Sequence, residues 1–209
     1  MDILIFGDSI TQGAFDAECG GWANRLGNVM YRRALDSGLE KRDLVFNLGI
    51  SGDNSEKLKL RFLSETQART DGECAIIIAI GVNDSQYEVA TDENRVHADL
   101  FRENMKQLAS DAKKYSKKVF FVGIAPIEEE KLSPMPWKPT HAYDNKNITI
   151  YNKILEDVSK EEGVLWVSMN GVFGEALTSC LVDGIHPSAH GHKLMFERIK
   201  NALENENVI

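Results

Sequence analysis

The chain contains the uninterrupted apolar run Ala75-Ile76-Ile77-Ile78-Ala79-Ile80, followed by Gly81-Val82-Asn83-Asp84. A continuous run rich in β-branched residues is typical of a parallel strand that is covered on both faces. Four more apolar segments predict strands, at 3–6, 44–48, 119–124 and 164–167. Helical patterns separate these strands or follow the last one, at 22–37, 54–63, 93–115, 147–162 and 187–203. This alternation predicts an α/β protein with a doubly wound, five-stranded parallel sheet.

Length and composition favour a single domain over residues 1–209. The chain is 43% hydrophobic and 27% charged, and no linker-like segment divides it, so it can bury one substantial core. The formal net charge of −8 argues against a nucleic-acid partner or an anionic membrane surface, because both require a clustered basic surface. A homo-oligomer stays open as an alternative.

The cysteines and the hydropathy pattern indicate the cellular compartment in which the protein is expected. Cys19, Cys74 and Cys180 are an odd, widely spaced set without a Cys-x-x-Cys pair, which favours neither a zinc site nor a disulfide framework. The N-terminal segment lacks the basic start and the long apolar core of an export signal. The longest apolar run is far shorter than a membrane span. We therefore expect a cytoplasmic protein without an integral membrane segment.

Polar residues follow the predicted strands. Ser9 comes after the first strand, Gly52 after the second and Asn83 after the third, while Asp183 and His186 lie shortly after the fifth. The carboxyl ends of parallel strands lie along one edge of a sheet, and ligands bind at that edge. The predicted topology therefore brings together residues that are far apart in the chain.

The chemistry of these five residues is complementary. A serine in a Gly-Asp-Ser turn is most often a turn residue or a helix N-cap, but it becomes a nucleophile when a base accepts its proton. His186 suits that role for Ser9, since a histidine titrates near neutrality. Asp183 lies close enough to accept the imidazole Nδ1–H and fix the tautomer. The backbone N–H groups of Ser9 and Gly52 and the Asn83 amide can donate to the oxyanion of an acyl-transfer intermediate.

Four short motifs carry these residues: Gly7-Asp8-Ser9-Ile10, Asn47-x-Gly49-x-x-Gly52-Asp53, Gly81-x-Asn83-Asp84 and Asp183-x-x-His186-Pro187. In this order, over nearly the whole chain, they resemble the four sequence blocks of the SGNH (GDSL) hydrolases, which are serine esterases and lipases. The resemblance implies a flavodoxin-like, three-layer α/β/α sandwich. It also implies Ser9 as nucleophile, Asp183 and His186 as orienter and base, and Gly52 and Asn83 as oxyanion donors.

The same resemblance implies a serine carboxylester hydrolase that works through an acyl-enzyme and needs no metal ion and no organic cofactor. A metal site at His186, His190 and His192 is the alternative, but Pro187 suits the first position of a helix and leaves His186 outside it. We expect a small-molecule ester as substrate. Short acyl groups such as acetyl are favoured, because no large hydrophobic surface segment is evident in a chain expected to be cytoplasmic.

One long segment, residues 126–145, separates the fourth strand from the next helix and contains four of the five prolines. Loops longer than about 12–15 residues are usually functional in a compact domain. Because this loop leaves the carboxyl end of a strand, we expect it to overhang the site, with Met135, Trp137 and Tyr143 lining the substrate pocket. A plain surface loop or a subunit contact is the alternative.

Other functions for the same residues also remain open. An acyltransferase or a thioesterase would use the same triad. A flavodoxin-like binding protein would hold a flavin phosphate in the loop after the first strand, for which Ser9, Thr11 and Gly13 are suitable. That interpretation leaves Asn83 and the Asp183–His186 pair unexplained.

Overall fold

A five-stranded parallel sheet with helices on both faces forms the centre of the computed structural model, which describes residues 1–70 and 72–209. Its strands are β1 (Asp2–Gly7), β2 (Val45–Gly49), β3 (Cys74–Ala79), β5 (Lys118–Val122) and β7 (Leu165–Val167). Two short strands, β4 (Tyr87–Glu88) and β6 (His141–Ala142), lie outside this sheet. The sheet has the order β2-β1-β3-β5-β7, and every neighbouring pair is parallel. The predicted α/β sandwich with five parallel strands is confirmed.

Helices cover the two faces of this sheet. They are α1 (Ser9–Gln12), α2 (Gly21–Asp36), α3 (Ser55–Gln67), α4 (Val82–Ser85), α5 (Ala98–Lys113), α6 (Asn145–Glu162), α7 (Leu177–Cys180) and α8 (Ala189–Asn205), with 3-10 turns at Glu129–Lys131 and Gly174–Ala176. Helices α2 and α8 pack together on one face, and α5 packs between α3 and α6 on the other. Since both faces are covered, Ile76, Ile77 and Ile78 of β3 are fully buried.

The helix predicted over 93–115 begins later than expected, at Ala98. Strand β4 lies in the segment before it and pairs antiparallel with β6 as a two-stranded ribbon. The N–H groups of Arg95 and Val96 then donate to the carbonyls of Gln86 and Asp84, at 2.7 and 3.2 Å. These bonds hold the residues before Ala98 in a loop that folds back on α4, so they are not available to a helix.

The turn after β1 is the first turn of a short helix. Asp8 is the N-cap of α1, and its carboxylate accepts a hydrogen bond from the Ile10 N–H at 2.9 Å. Ser9 is therefore the first helical residue and is almost fully buried. The backbone of α1 lies directly against Gly49 at the end of β2, because a Cβ built on Gly49 would meet the Gln12 nitrogen at 2.3 Å.

We predict that Gly49→Ala destabilises the protein by about 1–3 kcal/mol, because the added methyl group overlaps backbone atoms of α1 that cannot move independently of Ser9. The matched control is Gly27→Ala in α2, where the new Cβ would make only an ordinary contact, 3.8 Å from Cβ of Val45. Removing a helical glycine there should stabilise the protein by up to about 1 kcal/mol. Equal effects in denaturant unfolding would contradict this account.

Candidate active site

Ser9, His186 and Asp183 lie in one chain of hydrogen bonds at the carboxyl edge of the sheet. The Ser9 Oγ is 2.9 Å from His186 Nε2, although the two residues are 177 positions apart. On the other side of the ring, His186 Nδ1 is 2.7 Å from Asp183 Oδ2. The structure therefore brings together all three residues that the sequence assigns to nucleophile, base and orienter.

The loop that carries Asp183 and His186 is held by its own backbone. Asp183 Oδ1 accepts hydrogen bonds from the N–H groups of Ile185 and His186, at 3.1 and 2.9 Å. Burial acts to raise the pKa of Asp183, but the hydrogen bonds from the His186 ring and from these two N–H groups outweigh it, so the pKa lies below its usual range. The carboxylate is therefore ionised at neutral pH and can fix the Nδ1–H tautomer of the histidine.

Gly52 and Asn83 border the same cleft from the next two strands. Gly52 has a φ of 78°, a left-handed conformation that suits glycine. Its loop is tied to α1, because the Ser51 N–H donates to Gln12 Oε1 at 2.9 Å. Asn83 lies in α4 directly after β3, and its Nδ2 donates to the Asp53 carbonyl at 2.9 Å. Both predicted oxyanion donors thus border the cleft that Ser9 also borders.

The cleft has a volume of about 220 Å³ and includes the three pocket residues predicted from the 126–145 loop. They differ in exposure: Trp137 is 51% exposed, whereas Met135 and Tyr143 are buried. The Tyr143 hydroxyl donates to Asn83 Oδ1 at 3.2 Å, and Met135 Sδ accepts from Gln86 Nε2 at 3.2 Å. Of these three residues, Trp137 alone is exposed enough to form an open wall of the pocket.

Three side chains in or beside the cleft were not predicted from the sequence. The rings of Phe15 and His186 form a T-shaped pair with centroids 5.2 Å apart, and Phe15 has a φ of 65° although it is bulky. Arg95 borders the cleft and donates to the Gly52 carbonyl at 2.9 Å. Gln86 is buried beside Tyr143. No sequence signal marks these contacts, since a left-handed phenylalanine and a cross-loop arginine depend on tertiary structure.

The histidines after the site do not form a cluster with it. His192 is fully buried in α8, and its Nε2 lies 3.3 Å from the Ala14 carbonyl, while His190 is exposed. Among the described residues, no group of three or more histidine, cysteine, aspartate or glutamate side chains is arranged to hold a metal ion.

Fold and site together define a class of protein. A serine, a histidine and a carboxylate linked by hydrogen bonds, at the ligand-binding edge of a parallel α/β sheet, are the arrangement of a serine hydrolase. Residues 5–194 match the model of the GDSL-like lipase/acylhydrolase family. The chain belongs to that family and is a serine ester hydrolase of the GDSL type, so the resemblance seen in its motifs is confirmed and the flavin-binding interpretation is set aside.

Curated relatives and solved structures span nearly the full chain. The isoamyl acetate-hydrolyzing esterase of Saccharomyces cerevisiae is 26% identical over 96% of this chain and 85% of that protein. An acetylxylan esterase of Geobacillus stearothermophilus is 24% identical over 92% of this chain and 89% of that protein.

Two solved structures show the same fold. The crystal structure of Axe2, an acetylxylan esterase from Geobacillus stearothermophilus, gives a TM-score of 0.71 at 25% identity and covers 97% of this chain and 93% of that one. TesA also gives a TM-score of 0.71, at 21% identity, and covers 98% of this chain and 99% of that one.

Among the helices of the described residues, none has the length and apolar character to cross a membrane.

Two buried carboxyl groups lie behind the site. Burial raises the pKa of Asp8 to about 7, although the Ile10 N–H and the nearby His186 act in the opposite direction. Burial likewise raises the pKa of Asp84 to about 6, against hydrogen bonds from the Ser55 side chain and backbone. Neither carboxyl group contacts the Ser9 hydroxyl, and both act as acceptors for the N-terminal N–H groups of helices α1 and α3.

We predict that Asp8→Asn changes how stability depends on pH. Between the ordinary aspartate pKa of 3.8 and about 7, the unfolded Asp8 is ionised while the folded one is protonated. Stability therefore falls as pH rises through this range. Asparagine keeps the helix cap but does not titrate, so its stability relative to wild type should be higher near pH 8 than near pH 5 by about 2–3 kcal/mol. Denaturant unfolding at both pH values tests this, and an equal difference at both would contradict it.

Proposed function

We propose that the protein is a serine carboxylester hydrolase that acts on acetyl and other short-chain esters through an acyl-enzyme. The observation that carries this proposal is the pair of hydrogen bonds on either side of the His186 ring, 2.9 Å to Ser9 Oγ and 2.7 Å to Asp183 Oδ2. The base is thus within direct hydrogen-bond reach of both the nucleophile and the orienter.

In the acylation step, Ser9 Oγ attacks the ester carbonyl carbon while its proton passes to His186 Nε2. The tetrahedral intermediate collapses when His186 returns that proton to the oxygen of the leaving alcohol. Water then attacks the acyl-enzyme with His186 again as base, which releases the carboxylic acid and restores Ser9. Asp183, held ionised by its hydrogen bonds, stabilises the imidazolium form of His186 in both steps.

The negative charge of the intermediate develops on the former carbonyl oxygen. We assign its donors to the backbone N–H groups of Ser9 and Gly52 and to Asn83 Nδ2, which all border the cleft. Ser9 and Asn83 are more than nine-tenths buried, and hydrogen bonds to a developing charge are strongest where water is excluded. The fixed loop geometry around Gly52 keeps its donor in place before the reaction.

Short acyl groups fit this site best. The cleft is small, about 220 Å³, and is bordered by buried and polar side chains near Ser9. The names of two relatives, an isoamyl acetate-hydrolyzing esterase and an acetylxylan esterase, both indicate acetyl esters as substrates of those proteins. We infer a small acetyl ester as substrate of this chain. Transfer of the acyl group to an alcohol, or hydrolysis of a thioester, would use the same three residues.

The first test is hydrolysis of p-nitrophenyl esters from acetyl to palmitoyl by wild type, Ser9→Ala and His186→Ala. We expect activity confined to short chains and nearly abolished in both variants, because each removes a group that moves during acylation. Ser51→Ala is the matched control, since Ser51 also borders the cleft but is exposed and makes no hydrogen bond to His186. Equal turnover by Ser9→Ala and wild type would remove Ser9 from the mechanism. Analysis of the products formed in the presence of added alcohols distinguishes hydrolysis of the ester from transfer of its acyl group.

A second prediction concerns Trp137, the exposed residue of the 126–145 loop. Its ring borders the cleft and is half exposed before any substrate binds, so it can bury apolar surface of an ester on binding. We expect Trp137→Ala to raise KM for the preferred ester severalfold and to leave kcat nearly unchanged. Trp137→Phe, which keeps an aromatic ring, should recover most of the affinity. An unchanged KM in Trp137→Ala would show that the ring does not contact the substrate.

A further inference from the structure

The amide of Asn83 is held on both sides by groups that are not part of the triad. One N–H of its Nδ2 donates to the Asp53 carbonyl at 2.9 Å. Its Oδ1 accepts from the Tyr143 hydroxyl at 3.2 Å. An amide nitrogen has two N–H groups, so these contacts leave the second one available to the cleft.

The Tyr143 hydroxyl is itself oriented by a second buried side chain. Gln86 Nε2 donates to the hydroxyl oxygen at 2.9 Å, so the hydroxyl proton is free to point toward Asn83 Oδ1. Burial raises the pKa of Tyr143, so the phenol is protonated at neutral pH and can donate. Gln86, Tyr143 and Asn83 are all at least nine-tenths buried, so water does not compete freely for these bonds.

The ribbon of β4 and β6 explains why these two side chains meet. Tyr87 pairs with Ala142 and Glu88 with His141, so the next position of the same antiparallel register places Gln86 opposite Tyr143. Tyr143 is fixed on its other side as well, because the next residue, Asp144, caps helix α6. The ribbon therefore joins the α4 segment, which carries Asn83, to the end of the 126–145 loop.

We propose that Tyr143, oriented by Gln86, is a positioning residue that fixes the Asn83 amide with its nitrogen toward the oxyanion. This inference rests on the proposed function and adds to it a role for the 126–145 loop. With the amide rotated by half a turn, Oδ1 would face the Asp53 carbonyl oxygen, and both oxygens would lack a donor. The Asp53 carbonyl and the Tyr143 hydroxyl thus favour the same orientation.

The test is Tyr143→Phe, which removes one oxygen atom and keeps the ring. Loss of a complete oxyanion donor in Asn83→Ala should cost roughly 10²–10³ in kcat. Tyr143→Phe should cost less, about 5–30-fold in kcat with KM within about twofold, because the Asp53 carbonyl still holds one side of the amide. The matched control is Tyr87→Phe in the same ribbon, whose hydroxyl lies 3.4 Å from Ser133 Oγ on the exposed side and should leave kcat unchanged.

A double-mutant cycle separates positioning from general support of the fold. If Tyr143 acts through Asn83, then Tyr143→Phe should cause less than about a twofold further loss when Asn83 is already alanine. A loss that multiplies fully in the double variant, or an unchanged kcat in the single one, would overturn the inference. Gln86→Met provides a second variant if Tyr143→Phe does not fold, and a smaller loss of the same kind is expected, again absent in the Asn83→Ala background.

The two proposals fail in different ways in this experiment. Absence of Ser9-dependent ester hydrolysis in the wild type would overturn the proposed function. Normal wild-type hydrolysis, with Asn83→Ala impaired and Tyr143→Phe unimpaired, would overturn only the role of Tyr143.

Discussion

The parallel pairing of β1 with β2 on one side and β3 on the other is the constraint on which the rest of the site depends. It places the carboxyl ends of three strands next to one another, so that Ser9, Gly52 and Asn83 border one cleft. Parallel neighbours need crossover helices, and these helices bury both faces of the sheet. The edge where the strands end is then the part of the sheet at which backbone N–H groups and polar side chains can meet a ligand.

Three carboxyl groups at this edge accept hydrogen bonds from backbone N–H groups. Asp8 caps α1, Asp84 accepts from the start of α3, and Asp183 accepts from the turn that carries His186. Each carboxyl group satisfies backbone donors that would otherwise be buried without a partner. Burial raises the pKa of Asp8 and Asp84, which are the two most deeply buried of the three. Asp183 is more exposed and hydrogen-bonded to a histidine, so it alone stays readily ionised.

Apolar runs and short motifs are local signals. From them the sequence predicts the strands, the sheet type and the placement of four residues at the carboxyl edge: Ser9, Asn83, Asp183 and His186. The late start of α5 could not be predicted. Residues 93–97 have a helical pattern, but tertiary hydrogen bonds to Gln86 and Asp84 hold them in a loop. Strand β4 has two residues, too few for a periodicity, and the contact between Gln86 and Tyr143 depends on the register of that ribbon. The left-handed Phe15 beside His186 has no sequence signal, because its conformation depends on tertiary structure.

The 126–145 loop contains both exposed and buried residues at the cleft. The sequence predicted one role for them, as the lining of the substrate pocket, but their difference in burial indicates two roles. Trp137 is half exposed, so its ring is free to meet a substrate, whereas Tyr143 is buried and hydrogen-bonded to Asn83. The loop ends where Asp144 caps α6, and that cap fixes the tyrosine against the ribbon. Variation near Trp137 can therefore alter the proposed pocket without changing the hydrogen bond between Tyr143 and Asn83, the proposed oxyanion donor. In the proposed mechanism this one loop has two separate tasks: its exposed part contacts the substrate, and its buried end positions the amide that donates to the oxyanion.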